Sequence, residues 1–352
     1  MSGSANSWLR QWPGTLLCRP PDNQKAFSTV TDPTDPSNLR IGTRASPLAL
    51  AQAHAARGLI EAAHGAPTPL GPASIVEIKT TGDLVLDRPL ADIGGKGLFS
   101  KEIDRALLDN RIDLAVHSMK DLETWMPDGI VIAAVLERED PRDAFISNTY
   151  RSLDDLPPGA VVGTASVRRQ AQLLHHRPNL RCVTFRGNVQ TRLAKLTEGQ
   201  ADATLLACAG LNRLGRSAVI TSVLDPEVML PAVAQGAVAI TCRAGDDRVL
   251  DLLAAVNHAP TLARVTAERA MLEALDGSCR TPIGGLAELS GDGKEMTLRG
   301  LVARGDGAVL HQARRRGPAS DARRLGRDLG DELKTLAGPG FLDDPGPGGG
   351  VA

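Results

Sequence analysis

Between residue 39 and about residue 256, short continuous apolar runs alternate with segments of helical periodicity. The apolar runs are LRIGT, SIVEIKT, DLAVHS, GIVIAAVL, AVVGT, ATLLACAG and AVAITCR. Strands that are apolar along their whole length are typical of parallel sheets with helices on both faces. The alternation therefore predicts an α/β fold built on parallel sheets.

One local pattern occurs twice and predicts two domains. IGTRASPLALAQA (41–53) and VGTASVRRQAQLL (162–174) each contain a strand, a Gly-Thr pair and a serine that can open a helix. Ser46, which is followed by Pro47, and Ser166 are favourable N-cap residues. Because a helix N-terminus presents free backbone N–H groups, each copy can bind an anion. Two such domains facing each other enclose a cleft lined with anion sites.

After about residue 258 the pattern changes. A helical run, TLARVTAERAMLEALDG, leads into the loop DGSCRTPIGG, which contains Cys279. The segments LAELSG, EMTLRGLVAR and AVLHQARRR are separated by glycine-rich turns and predict an antiparallel meander. DARRLGRDLGDELKTL then predicts an amphipathic helix. We expect a third, smaller α+β domain with the cysteine loop near its start.

Composition excludes several classes of protein. A net charge of -1 over 352 residues argues against nucleic-acid binding by bulk charge. No apolar run reaches the ~20 residues that cross a bilayer. The five cysteines have no CxxC or CxH spacing, which predicts neither a disulfide framework nor a zinc site; they are Cys18, Cys182, Cys208, Cys242 and Cys279. We expect a reducing compartment. Residues 1–38 are expected to be a disordered extension, with an organellar transit peptide as the alternative.

Basic residues concentrate between Gly163 and Arg216. This stretch contains eight arginines and one lysine against two acidic residues, an excess of seven positive charges (9 − 2). Two of them, Arg168 and Arg169, fall in the first turn of a predicted helix, where cations oppose the helix dipole. Either the stretch is a solvated basic face, or a ligand with several carboxylates offsets that cost. Arginine suits the second hypothesis because its planar fork binds a carboxylate through two hydrogen bonds.

The pentapeptide HSMKD (117–121) directly follows the apolar run DLAV. Residues at the carboxyl end of a parallel strand face the ligand crevice, so Asp121 is a candidate catalytic carboxylate beside Lys120. A helix or turn cap is the alternative role for Asp121, and His117 is expected to be a buried histidine. Nearby, GGKGLFSKEID places Lys96 on a glycine-rich loop before a helix that Ser100 can cap, without the spacing of a nucleotide P-loop.

Taken together, these segments resemble the hydroxymethylbilane synthase family, also called porphobilinogen deaminases. The matching motifs run in the family's order from residue 39 to about residue 290; they are RASPLALAQ, GGKGLFSKE, HSMKD, GTASVRRQAQL, FRGNVQTRL, AGLNRLG, LPAVAQGAVAI and LDGSCRTPIGG. The resemblance implies a transferase of tetrapyrrole (haem) biosynthesis. Such an enzyme joins four porphobilinogen molecules head to tail, with loss of ammonia at each step, and releases hydroxymethylbilane by hydrolysis.

The resemblance also assigns roles to residues. It implies a dipyrromethane cofactor held by a thioether to Cys279, and Asp121 as the carboxylate that stabilises the cation left when ammonia departs. Phe99 is expected against a pyrrole ring or in the core. The residues implied to bind acid side chains of cofactor and substrate are Arg44, Ser46, Lys96, Lys120, Arg168, Arg169, Arg186, Arg192 and Arg213.

The fold implied by the resemblance is two type II periplasmic-binding-protein-like α/β domains that form a cleft, plus a small C-terminal α+β domain. The expected boundaries are 39–138 with 237–256, 142–232, and 258–338, followed by a disordered tail (339–352). We expect a cytoplasmic monomer whose partner is porphobilinogen, with no nucleic acid and no membrane. A non-catalytic solute-binding protein or regulator for a dicarboxylate is the alternative, because it could use the same cleft.

Three positions depart from common family patterns. Asp92 stands where some relatives have a basic residue, and Glu123 stands where a proline is frequent. Ala234 replaces a frequent glycine in the segment LPAVAQG. None of these departures removes a group that the resemblance implies to be catalytic.

Overall fold

The computed structural model of the protein describes residues 38–84, 97–278 and 281–342. Several expectations lie outside the described residues, namely those for the extension up to residue 37, for Asp92, Lys96 and Cys279, and for the tail from residue 343 onward. Of the expected tail, residues 339–342 are described, and the ring of Phe341 packs edge-on against His311 with 5.3 Å between ring centroids.

The first sheet has five strands within the described residues. Their spatial order is β2 (Ala73–Ile78), β1 (Leu39–Arg44), β3 (Leu114–Ser118), β10 (Val238–Arg243) and β4 (Ile130–Val135). The associated helices are α1 (Pro47–His64), α2 (Thr81–Leu84), α3 (Lys101–Leu108) and α7 (Asp247–Ala254). On β3, Leu114 and Val116 belong to a core with α1 and α7, whereas Ala115 belongs to one with α3. Helices therefore cover both faces, which explains the continuous apolar runs.

The second sheet repeats this topology. Its order is β7 (Arg181–Val183), β6 (Val161–Gly163), β8 (Ala203–Ala207), β5 (Asp143–Ile146) and β9 (Ser222–Val223), with helices α4 (Val167–His176), α5 (Val189–Thr197) and α6 (Cys208–Arg213). In each sheet, the strand that opens the repeated motif lies between two parallel neighbours, and the fourth strand in the order is antiparallel to both of its neighbours. The two α/β domains thus have the type II arrangement that the resemblance implies.

The prediction of parallel sheets covered on both faces needs one correction in each sheet. Strand β10 runs antiparallel to β3 and β4, and β5 runs antiparallel to β8 and β9. The chain leaves the first sheet after β4 to form β5, and it returns as β10, so each of these strands enters its sheet from the other domain. Helices cover such strands on both faces as well, and a continuous apolar run does not reveal strand direction.

Both copies of the predicted strand–serine–helix pattern are confirmed. Strand β1 leads into α1, where the Ser46 hydroxyl accepts a hydrogen bond from the Ala49 N–H at 3.3 Å. Strand β6 leads into α4, where the Ser166 hydroxyl accepts one from the Arg169 N–H at 3.4 Å. These caps satisfy N–H groups that otherwise have no partner inside the helix.

The C-terminal sheet is the predicted antiparallel meander. It consists of β11 (Ile283–Leu289), β12 (Glu295–Ala303) and β13 (Leu310–Pro318), and the helices α8 (Ala259–Ala274) and α9 (Ala322–Ala337) form a core with it. The two helices approach closely at Gly326 and Gly330 of α9, because a Cβ at either position would overlap backbone carbonyl oxygens of α8. Small residues at these points therefore set the helix–helix distance.

A buried ion pair joins the first sheet to the C-terminal helices. Arg138, which follows β4, binds Glu268 of α8 through two hydrogen bonds of 2.6 and 3.1 Å, and both side chains are almost fully buried. The same carboxylate accepts the N–H groups of Ala234 and Ala287 at 2.6 and 2.8 Å. Ala234 has a φ of 59°, in the left-handed region that glycine adopts at least cost, so the alanine here carries some backbone strain.

Candidate active site

Asp121 lies at the carboxyl edge of the first sheet. It ends a single 3-10 turn (Met119–Asp121) that follows β3, and it lines a cavity of about 60 Å³. Arg44 at the end of β1, Ser46, Phe99, Ser100 and His117 line the same cavity. Residues that are far apart in sequence meet here because neighbouring parallel strands end at one edge of a sheet.

Phe99 forms a wall of this cavity and supports Arg44. The guanidinium carbon of Arg44 lies 4.2 Å from the centroid of the Phe99 ring, a cation–π arrangement. The ring also packs against Gly82, where a Cβ would overlap it. Phe99 therefore orients a cationic side chain next to Asp121, and its ring is partly exposed.

His117 is the buried histidine that the sequence predicts. Its Nε2 lies 3.1 Å from the Thr241 hydroxyl, and burial, assisted by the nearby Arg44 charge, lowers its pKa to about 4. The imidazole is consequently neutral near pH 7 and is a poor proton donor there.

Arg168 and Arg169 are buried, so the alternative of a solvated face is wrong for these two residues. They are only 3% and 4% exposed, and each donates to the carboxylate of Asp143 at 2.7 Å. Burial alone would raise the pKa of Asp143, but the two guanidinium groups outweigh it and hold that pKa far below its usual range. Asp143 thus offsets the cost of placing two buried cations at a helix N-terminus. The Nε atoms of both arginines have no hydrogen-bond partner in the described part of the chain.

Lys120 and Arg192 extend this basic cluster toward Asp121. Burial lowers the pKa of Lys120 to about 8; Asp121 opposes this shift, whereas the charges of Arg169 and Arg168 add to it. Burial likewise lowers the pKa of Arg192 to about 10, with Arg169 contributing and Asp121 opposing. The structure therefore brings side chains of both α/β domains into one electrostatic cluster around Asp121.

The other predicted anion-binding residues take separate positions. Arg186 precedes the cap residue Asn188 of α5 and interacts electrostatically with Arg192. Arg213, at the end of α6, donates to the Gly236 carbonyl at 2.8 Å, in the segment that returns to the first sheet. The Ser46 hydroxyl serves as the α1 cap beside the cavity.

The described flanks of the cysteine loop are tied to the segment that follows Asp121. Ser278 and Thr281 bracket the loop and are joined by three hydrogen bonds of 2.7 to 3.1 Å. The Thr124 hydroxyl, three residues after Asp121, donates to the Gly277 carbonyl at 2.7 Å. The chain on either side of Cys279 is thereby fixed next to the segment that carries the candidate catalytic carboxylate.

Sequence reasoning missed several residues of this region. Asp143 and Gln235 hold the arginine pair, since the Gln235 side chain donates to Asp143 at 2.8 Å. Glu123 accepts the Gly97 N–H. No local signal identifies these partners, because each pair is far apart in sequence. The expected Ser100 cap is wrong, because Ser100 occupies the N-cap position of α3 but makes no capping hydrogen bond.

The described residues offer little support for thiol chemistry or metal binding. Burial raises the pKa of Cys182 and Cys208 to about 12 and that of Cys242 to about 11, so these thiols stay protonated. Within residues 38–84, 97–278 and 281–342, no group of three or more His, Cys, Asp or Glu residues could hold a metal ion. No helix in those ranges has the length and apolar character needed to cross a bilayer.

Comparison with known proteins decides the family. A family model described as "Porphobilinogen deaminase, dipyromethane cofactor binding domain" matches residues 39–251, and "Porphobilinogen deaminase, C-terminal domain" matches residues 262–335. The chain belongs to the porphobilinogen deaminase family. Membership makes it a transferase of tetrapyrrole synthesis that uses porphobilinogen and a dipyrromethane cofactor. The alternative of a non-catalytic binding protein is therefore rejected.

Individual porphobilinogen deaminases are similar over most of their length. The chloroplastic porphobilinogen deaminase of Oryza sativa subsp. japonica is 55% identical over 309 residues, which are 87% of this chain and 86% of that protein. The porphobilinogen deaminase of Paracoccus denitrificans is 55% identical over 315 residues, or 89% and 99% of the two chains. Among solved structures, the Tp32 lipoprotein of Treponema pallidum matches with 18% identity and a TM-score of 0.39, covering 63% of this chain and 91% of that one.

Proposed function

We propose that this chain joins four porphobilinogen molecules head to tail on a dipyrromethane bound through a thioether to Cys279, and then releases hydroxymethylbilane by hydrolysis. Asp121 is the catalytic carboxylate in this proposal. The observation that carries it is the hydrogen bond from Thr124 to Gly277, which holds the flank of the cysteine loop beside Asp121 and its basic cluster.

The basic cluster suits a dipyrromethane. Each of its two rings carries an acetate and a propionate, so the group brings four carboxylates to the site. Arg168 and Arg169 are buried, and each keeps an Nε atom without a hydrogen-bond partner among the described residues. A buried guanidinium N–H without a partner is costly, and a carboxylate is the acceptor that its geometry favours. These residues, together with Lys120 and Arg192, would hold the acid side chains.

Asp121 acts on the substrate. As ammonia leaves porphobilinogen, positive charge develops on the pyrrole, and a carboxylate within hydrogen-bond reach of the ring N–H stabilises that charge. When bound, the dipyrromethane supplies the ring carbon to which the first porphobilinogen is joined. Asp121 is suited to this role because it lies in a small cavity at the strand end, close to the charges of Arg192 and Lys120.

Lys120 and Arg44 orient substrate carboxylates. With a pKa of about 8, Lys120 remains largely protonated near pH 7 and can bind an anion directly. Arg44 is held over the Phe99 ring, which reduces the freedom it must lose on binding. Ser46 caps α1 at the same cavity, so the first turn of that helix favours a negative group there. Arg186 and Arg213 bind further acid groups in this proposal.

Three broader proposals accompany this function. The domains are residues 39–138 with 237–256, residues 142–232 and residues 258–338, in agreement with the grouping of strands into three sheets. The protein is a monomer that does not bind nucleic acid, which light scattering and a DNA-binding titration test. It works in the cytoplasm, with organellar delivery by residues 1–38 as the alternative, and microscopy of the chain with and without those residues distinguishes the two.

Intact mass spectrometry of protein from a host that makes porphobilinogen tests the attachment. We expect the wild type and the Cys182→Ser control to carry added mass equal to two linked pyrroles, and Cys279→Ser to lack it. Cys182 is a suitable control because its thiol is partly buried in the second domain. An active wild type with unmodified mass, or Cys279→Ser with the full added mass, would remove Cys279 from the proposal.

A further inference from the structure

Glu123 makes an unusual contact with the chain before α3. Its carboxylate Oε1 accepts a hydrogen bond from the Gly97 N–H at 2.5 Å. Gly97 has a φ of 72°, in the left-handed region that glycine adopts at least cost. Its carbonyl in turn accepts the N–H groups of Ser100 and Lys101 at 3.1 and 2.9 Å. The turn Gly97–Ser100 is therefore held at its first residue by a side chain from another part of the sequence.

This turn positions two walls of the Asp121 cavity. Phe99 and Ser100 both line that cavity, and the Phe99 ring supports the Arg44 guanidinium at 4.2 Å. The Leu98 carbonyl also accepts the Gly82 N–H at 2.8 Å, which fixes the far side of the turn. A shift of Gly97 would consequently move Phe99, and with it Arg44, relative to Asp121.

The backbone at Glu123 is itself held from the C-terminal domain. Arg269 of α8 donates to the carbonyls of Glu123 and Thr124 at 2.8 and 3.0 Å. The Thr124 hydroxyl donates to Gly277, on the flank of the cysteine loop. Glu123 is thus the point where the turn before α3, the segment carrying Asp121 and the flank of Cys279 are connected.

From these contacts we infer that Glu123 is a positioning residue for the deaminase reaction: its carboxylate fixes the turn Gly97–Ser100 against the Asp121 segment. The inference rests on the proposed role of Asp121. It concerns a contact of this chain's own residue, to which the resemblance assigns no role.

The hydrogen bond, rather than the charge, is the useful property of Glu123. Two other carboxylates, those of Asp104 and Glu102, lie close by. The pKa of Asp104 is raised to about 6, chiefly by burial and then by the charges of Glu123 and Glu102. A negative charge at position 123 is therefore opposed by its neighbours. A side chain of the same length with a neutral acceptor can make the same contact with Gly97.

Two matched variants separate length from charge. Glu123→Gln keeps the length and an acceptor oxygen but loses the charge, whereas Glu123→Asp keeps the charge but is one methylene too short to reach Gly97. Asp128→Ala is the control, because Asp128 is an exposed carboxylate in the same loop. All are made as the full-length enzyme with its cofactor. Hydrogen exchange of the peptide spanning Gly97–Ser100, kcat and KM, and the bound pyrrole measured with Ehrlich's reagent are compared.

We expect Glu123→Asp to speed exchange at Gly97 by about tenfold, as loss of one hydrogen bond implies. Its kcat should fall by about tenfold with KM changed less and pyrrole content unchanged, because a small displacement of positioning groups acts mainly on the transition state. Glu123→Gln and Asp128→Ala should stay within about twofold of the wild type.

Two results would overturn the inference. One is Glu123→Asp with wild-type exchange and turnover; the other is Glu123→Gln as impaired as Glu123→Asp, which would make charge the relevant property. Asp121→Asn, assayed in parallel, keeps the two proposals distinct. Wild-type turnover in Asp121→Asn would refute the proposed catalytic role, whereas an inactive Asp121→Asn beside a wild-type Glu123→Asp would refute the positioning role alone.

Discussion

Replacing Arg138 by methionine tests how much the buried junction between the first sheet and the C-terminal helices contributes to stability. The substitution removes hydrogen bonds of 2.6 and 3.1 Å to Glu268 and one of 2.9 Å from Nε to the Gln235 carbonyl. It leaves the Glu268 carboxylate buried, and among the described residues the N–H groups of Ala234 and Ala287 remain as its hydrogen-bond donors. Methionine fills much of the vacated volume, so the change is mainly electrostatic.

The expected loss follows from the uncompensated charge. Removing one partner of a buried ion pair costs about 3–5 kcal/mol of unfolding free energy. Because two backbone donors still bind the carboxylate, we expect the lower end, about 3 kcal/mol. Arg142→Met is the matched control, since Arg142 pairs with Asp140 in the same crossing segment but is 47% exposed. An exposed pair contributes roughly 0–1 kcal/mol.

Urea unfolding followed by circular dichroism measures both losses at one pH. Adding Glu268→Gln to Arg138→Met should recover at least ~1 kcal/mol, because a neutral amide is cheaper to bury than an unpaired carboxylate. The reasoning would be refuted if Arg138→Met cost no more than Arg142→Met, or if the second substitution made the first one worse.

Three further predictions concern single residues. Asp121→Asn should lower kcat by at least ~100-fold while retaining bound pyrrole, as loss of a catalytic carboxylate implies; a decrease below tenfold in a product-formation assay would contradict this. Asp104 has a folded-state pKa of about 6 against an ordinary 3.8, so its stabilising contribution is complete below about pH 4 and is lost as the pH rises through about 6. In thermal unfolding, the melting temperature of Asp104→Asn should therefore rise relative to that of the wild type between about pH 4 and pH 7.5. A difference in melting temperature that does not change with pH would refute the assignment. Gly326→Ala should destabilise by about 1–3 kcal/mol because its Cβ overlaps the α8 backbone, whereas Gly58→Ala, on an open face of α1, should stabilise by about 0.4–1 kcal/mol; the reverse order in urea unfolding would be contrary to the packing described.

The sequence alone determined the elements and much of the chemistry. Ser46 and Ser166 cap the helices that their positions predict, and the C-terminal meander follows its alternating segments and turns. Asp121 was identifiable because it follows an apolar strand. These features depend on residues within a few positions of one another, where capping, periodicity and turn geometry act.

Only the tertiary structure decided how those pieces face each other. The antiparallel direction of β10, the Asp143 carboxylate between Arg168 and Arg169, and the contact of Glu123 with Gly97 could not be read from the chain. Each joins residues separated by tens of positions, and no local preference selects one distant partner over another. Burial makes that selection, because a charge or N–H group removed from water must find its partner wherever the packed fold brings one within reach.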